Sequence, residues 1–183
     1  MTAGAAGGSP AFDLVPYAHS SGLRLAVPAR WELSEDARPG VLLVAVAPEP
    51  AARFGQQRPD ASGTGFRANL VVTCEELPAG LDLAAWQAVT AQMLPSALDE
   101  YASVSVDTGR IDGMPVVHRV AHHRSKAGTN VTMDQWAAVV PGPDTALGWS
   151  LTATVATRVH PHRVALLSRV AASWRPPRHD TAD

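Results

Sequence analysis

The 183-residue chain has 46% hydrophobic and 17% charged residues, a balance that folds into a globular core and excludes an intrinsically disordered chain. A formal charge of -2 gives no basic footprint for a phosphate backbone, so nucleic acid is not expected as a partner. No apolar run approaches the ~18 residues that a membrane-spanning helix needs, and the single cysteine, Cys74, rules out an internal disulfide framework.

Residues 1–11 and 178–183 are small and polar and are expected to be flexible tails around one domain at 12–177. Met1 to Pro16 lacks both an apolar secretory segment and a lipid-acceptor cysteine, from which a cytoplasmic location is expected. Leu23, Leu25 and Val27 alternate with Arg24 and Ala26, which predicts a half-buried first strand ending at Pro28. The continuous run Val41 to Val46 predicts a strand covered on both faces. Ala51 to Gly65 is rich in turn residues and is expected to be an exposed loop that could carry function. Phe66, Ala68, Leu70, Val72 and Cys74 form one face of a third strand, placing the Cys74 thiol toward the core as a structural rather than reactive group.

Asp82 reads as the N-cap of a helix from Leu83 to Tyr101, with Leu83, Trp86, Val89, Met93, Ala97 and Tyr101 as its buried stripe and a kink or break at Pro95. Strands are expected at Ser103 to Ile111, Pro115 to Arg124, Thr129 to Val140 and Leu147 to Thr157, joined as an antiparallel meander with a turn at Asp112-Gly113. A closing helix has Pro161 in its first turn and Val164, Leu167, Val170 and Trp174 on its inner stripe. The fold class is α+β, an antiparallel sheet flanked by helices.

Catalytic signatures are missing. There is no nucleophile elbow around Ser150, no glycine-rich phosphate loop, and the adjacent acid pairs Glu75-Glu76 and Asp99-Glu100 point apart. His118 and His122 share a strand face but lie ~13 Å apart at ~3.3 Å per residue, too far for one metal ion. His160 and His162 bring no local carboxylate, so neither a metal nor a cofactor is expected. A four-residue loop at Ser125 to Gly128 would set Arg119 opposite Asp134, Val117 opposite Trp136 and His123 opposite Asn130. That face, Trp136, Arg119, His123 and Asp134, reads either as a cross-strand ion pair over an aromatic or as a protein-binding surface.

Gly22-Leu-Arg-Leu-Ala-Val-Pro-Ala-Arg-Trp31, Phe66-Arg-Ala-Asn-Leu-Val-Val-Thr-Cys-Glu-Glu-Leu-Pro-Ala-Gly80, Asp112-Gly113-Met-Pro and Ser173-Trp174-Arg-Pro176 together resemble the DcrB and LpqN group of bacterial proteins. The resemblance spans nearly all of residues 20–177. It implies the PsbP-like fold, an α/β/α sandwich shared with a photosystem accessory protein and a Ran-binding import factor. It further implies a non-enzymatic role, in some members as a dimeric chaperone for apolar helices of secreted effectors. On that basis the expectation is an intracellular accessory protein, an adaptor or chaperone, that binds another protein and leaves a homodimer open. The runner-up is a small-molecule or lipid site lined by Trp86, Met93 and Trp149 between sheet and helix. An enzyme using His118 or His160 comes third. Trp31 and Asn69 match recurrent positions of the group and take structural roles.

Overall fold

The computed structural model describes residues 13–35, 38–48, 65–78, 80–142 and 145–177. The expected tails and most of the 51–65 loop lie outside these described residues. Among the described residues two sheets are formed. β1 (Leu14–Ala18) and β2 (Arg24–Pro28) make a two-stranded ribbon. The main sheet holds seven strands: β3 (Glu32–Ser34), β4 (Val41–Val46), β5 (Asn69–Leu77), β6 (Asp99–Ile111), β7 (Met114–Arg124), β8 (Asn130–Pro141) and β9 (Ala146–Ala156). Their order is β3-β4-β5-β9-β8-β7-β6, and every pairing is antiparallel. The expected meander is therefore present as β6 to β9. β5 inserts beside β9, which closes the sheet into one surface. Asp112 and Gly113 both take left-handed backbone and join Ile111 to Met114, as a two-residue hairpin requires.

One face of the sheet is thickly covered. Leu43 and Ala45 of β4, Leu70 and Val72 of β5, Leu151, Ala153 and Val155 of β9, and Ala138 of β8 point the same way and are buried. Onto them fold the ribbon, through Leu23, Leu25 and Val27, and α2 (Val164–Ala172), through Leu166, Leu167 and Val170. Trp174, just past α2, is fully buried in this core. Ser173 fastens the chain there: its hydroxyl accepts from Ala26 N–H at 2.7 Å, and Arg175 pairs with Arg24 through both backbone groups. Pro161 lies in a separate 3-10 helix, Thr157–His162, ahead of α2, and Val164 is exposed rather than inward. Trp31 packs against the edge of this core, and Asn69 opens β5.

The other face carries α1 (Leu83–Ala97), with Asp82 Oδ1 accepting from Ala85 N–H at 2.8 Å as the expected N-cap. α1 stops two residues after Pro95, and 99–101 are already strand, so the helix is shorter than its apolar spacing suggested. Its stripe is not a core stripe either: Val89 is 48% and Met93 63% exposed. Only Trp86 and Gln87 of α1 are buried, and Trp86 joins a small cluster with Leu77 and Ala137. The helix lies close at this point because β9 offers Gly148, where a Cβ would come within 2.8 Å of Trp86 Cζ2.

Candidate functional site

The β7–β8 hairpin sets the geometry. Ser125 N–H donates to Thr129 O and Gly128 N–H to Ser125 O, both at 2.8 Å, with Gly128 in the left-handed region. Only Lys126, Ala127 and Gly128 thus lie in the loop, one residue fewer than expected, and the register moves by one. Arg119 stands opposite Gln135, His118 opposite Trp136, Val120 opposite Asp134, and His123 opposite Val131. Because side chains alternate along a strand, a one-residue slip sends a pair to opposite faces. The four residues expected as one face are therefore split. Trp136 and Asp134 face the ribbon and α2, Arg119 and His123 face the α1 side, and no Arg119–Asp134 ion pair forms. Trp136, Arg119 and Asp134 are also buried, which corrects their reading as an open recognition surface.

On the α2 side, Asp134 gathers two histidines that the sequence keeps far apart. Its Oδ1 lies 3.2 Å from His118 Nε2 and its Oδ2 2.7 Å from His160 Nε2. An ionised carboxylate has no proton to give, so both Nε2 atoms donate. The His118 ring stacks on the Trp136 indole, with centroids 4.6 Å apart and planes 2° from parallel. Beside the stack runs a groove of about 300 Å³ bordered by Arg110, Ile111, Ser168 and Ala172. Among the described residues neither of these imidazoles has a hydroxyl or thiol partner, and the Asp134 pairs tie the 3-10 helix to β7 and β8. No group of three His, Cys, Asp or Glu side chains among the described residues is placed to hold a metal ion. His122 instead lies 3.0 Å from the Thr132 hydroxyl, and His123 lies 3.3 Å from Arg124 O. Ser150 is engaged with Thr73, hydroxyl to hydroxyl at 2.7 Å.

The α1 side is polar and incompletely satisfied. Arg119 is 2% exposed, and its one hydrogen bond runs from Nη2 to Gln87 O of α1 at 3.2 Å. Its Nη1 has no partner, nor do the Oε1 atoms of Gln87 and of Gln135, the residue directly across the ladder. Leaving buried polar groups unmatched costs about 1–3 kcal/mol each, and more for a charge. Sequence reading singled out Arg119 but missed Gln87 and Gln135. Their partners depend on a helix and a strand meeting 48 residues apart in the chain, and no local pattern marks that meeting.

Cys74 sits on the covered face, part-buried against the core. Burial pushes its thiol up to about 11, with Glu75 and Glu76 adding to the shift, so it stays protonated and unreactive at neutral pH. Glu75 also accepts from Trp86 Nε1 at 2.8 Å, the polar link that holds α1 to β5. The lipid-site expectation does not survive this arrangement. Met93 is in solvent, Trp149 is 1% exposed inside the α2-side core, and Trp86 lies on the opposite face of the sheet. No helix among the described residues is long and apolar enough to cross a membrane.

Seven antiparallel strands with helices on both faces define the α+β, PsbP-like fold. Among solved structures the chain is similar to LpqN of Mycobacterium tuberculosis, described as involved in cell envelope biogenesis, with 15% identity, a TM-score of 0.64 and coverage of 91% of this chain and 92% of that one. It is similar to the cyanobacterial PsbP of Synechocystis sp. PCC 6803 at 15% identity and TM-score 0.57, covering 95% and 98%. The Ran-binding protein Mog1p of Saccharomyces cerevisiae matches at 14% identity and TM-score 0.57, covering 91% and 96%. No family model matches the sequence, and no curated protein does. At these identities the likeness establishes the fold.

Proposed function

We propose that this protein is a non-catalytic accessory protein that binds another protein through the side of the sheet carrying α1 and β6. The observation that carries this reading is the apolar surface on these two adjoining elements. Val89 and Met93 of α1 and Val104 and Val106 of β6 are each 48% exposed or more. Four of the seven large apolar side chains exposed among the described residues thus fall on these two elements, which follow one another in the chain, and exposed apolar side chains that gather on neighbouring elements mark an interaction site. β6 is also an edge strand, with one side of its backbone unpaired within the sheet. The fold supports the same reading, since the structure of Mog1p is that of a Ran-binding protein. The finer role is an adaptor or chaperone that shelters an apolar segment of a secreted effector inside the cell. A lone, part-buried thiol suits such a reducing compartment.

Affinity capture from the native cell tests this with the double variant Val89→Asp, Met93→Asp, which alters exposed positions of α1 and should leave the melting temperature within about 2 °C of wild type. The wild type should retain a specific protein that the variant loses by tenfold or more. Equal recovery by both forms would remove this surface from consideration.

A further inference from the structure

We propose that Arg119 is the seat of a carboxylate, supplied by an acidic side chain of the partner protein and received beneath α1. Arg119 is 2% exposed yet has no carboxylate within ion-pair distance among the described residues, and one acceptor, Gln87 O, serves its five N–H groups. A buried guanidinium in that state lacks both a counter-charge and hydrogen-bond acceptors. Water could meet an orphan N–H but leaves the charge uncompensated, whereas a carboxylate answers both and fits the planar fork with two parallel bonds.

The surrounding side chains suit such a guest. Gln135 stands directly across the ladder from Arg119, and Gln87 hangs over it from α1. The amide ends of both exchange by a half-turn, so that each can offer an Nε2 donor where it now holds an unpartnered Oε1 atom. The Thr152 hydroxyl, now an acceptor from Gln135 Nε2 at 3.4 Å, can then donate to Gln135 Oε1 and fix the turned amide.

Access follows from how lightly α1 is held. Of its 15 residues only Trp86 and Gln87 are buried, so a small outward movement breaks the 3.2 Å bond from Arg119 to Gln87 O and opens the guanidinium. The movable helix is the one that presents Val89 and Met93, so apolar docking on α1 and capture of a carboxylate under it would occur together. The inference rests on the protein-binding reading only for the source of the carboxylate.

The test is a nuclear magnetic resonance titration of the 15N-labelled full chain, following the Arg119 side-chain Nε–H signal, assigned by its loss in Arg119→Lys. The probes are sodium acetate and the capped peptide N-acetyl-Gly-Asp-Gly-amide, with sodium chloride at equal ionic strength and the Gly-Asn-Gly peptide as controls. A saturable shift with acetate and the aspartyl peptide, absent from both controls, is the expected result. No saturable shift, or an equal one with chloride, overturns the proposal and leaves Arg119 as a structural residue served by water. Binding of the peptide at least tenfold tighter than acetate assigns the carboxylate to a polypeptide, and the reverse order overturns that source in favour of a small organic acid. In a second arm, Arg119→Met removes the uncompensated charge. It should raise the melting temperature of the free protein and abolish the gain in melting temperature that the peptide gives to wild type. A variant that melts lower while the peptide still stabilises it counts against the site. Loss of partner capture with the acetate shift intact would sink the protein-binding reading alone.

Discussion

The two faces of the sheet are built to different standards. On the α2 side, the ribbon, the helix and Trp174 enclose one continuous core in which Asp134 is met by two imidazoles and Ser173 by backbone on both sides, while the indole N–H groups of Trp149 and Trp174 have no partner. On the α1 side the core shrinks to Leu77, Trp86 and Ala137, apolar residues of the helix face outward, and Arg119, Gln87 and Gln135 keep unmatched atoms. Dense apolar burial fixes a structure, while a thinly anchored element over unsatisfied polar groups is free to exchange partners. The first face holds the fold, and the second is where binding is proposed.

Replacing a fully enclosed tryptophan should separate the faces most sharply. Trp174→Ala should destabilise by about 3–5 kcal/mol in urea denaturation, because the aromatic leaves a cavity that ribbon and helix cannot fill. A loss under 1 kcal/mol would show that the α2 side is not the stabilising one. Asp134→Ala leaves both Nε2 donors without their acceptor and should cost about 2 kcal/mol by the same measurement. It should also speed amide exchange in the 3-10 helix, which His160 tethers.

On the thinner face the expected effects are smaller. Gly148→Ala drives a methyl against Trp86 and Leu77 and should cost about 1 kcal/mol, since α1 can move away. Its signature is faster amide exchange across α1 with no change in α2, and uniform acceleration in both helices would contradict it.

The smallest effect expected is a pH effect at Cys74. Its thiol is held at about 11 against an ordinary 9.0, so the fold prefers the protonated form. That stabilisation is complete below pH 9.0, declines as the unfolded thiol ionises, and is gone above about 11. Tyr17, held at about 12 against 10.0 by burial and the Glu35 carboxylate, adds a loss of the same sign at higher pH. The Cys74 part is therefore read as the difference between wild type and Cys74→Ala. A flat difference across that window would show a thiol that titrates alike in both states.

Much of the fold was legible in the chain. Val41–Val46 was read with its ends correct, the Asp82 cap and the Asp112-Gly113 turn are where their residue types put them, and the meander has its expected order. What failed has particular causes. The ribbon strand Leu14–Ala18 carries little alternation, with Pro16 at its centre, and pairs because Arg24–Pro28 lies beside it. The α1 stripe has helical spacing, but past Trp86 its Val89 and Met93 face solvent, since spacing marks a face without saying what covers it.

The candidate site turned on a single residue of loop length. Alternation along β7 and β8 was plain from the sequence, but the partner of each residue was not. A three-residue loop in place of four sent Arg119 and Asp134 to opposite faces. The same change brought His118 onto Trp136 and let Asp134 collect His160 from beyond β9. Composition and periodicity by themselves determined a folded α+β chain and most of its strands, because burial of apolar residues at period two is a local constraint. Register, the covering of each face, and the isolation of Arg119 were decided only in the tertiary structure, because they depend on which distant groups meet across the ladder.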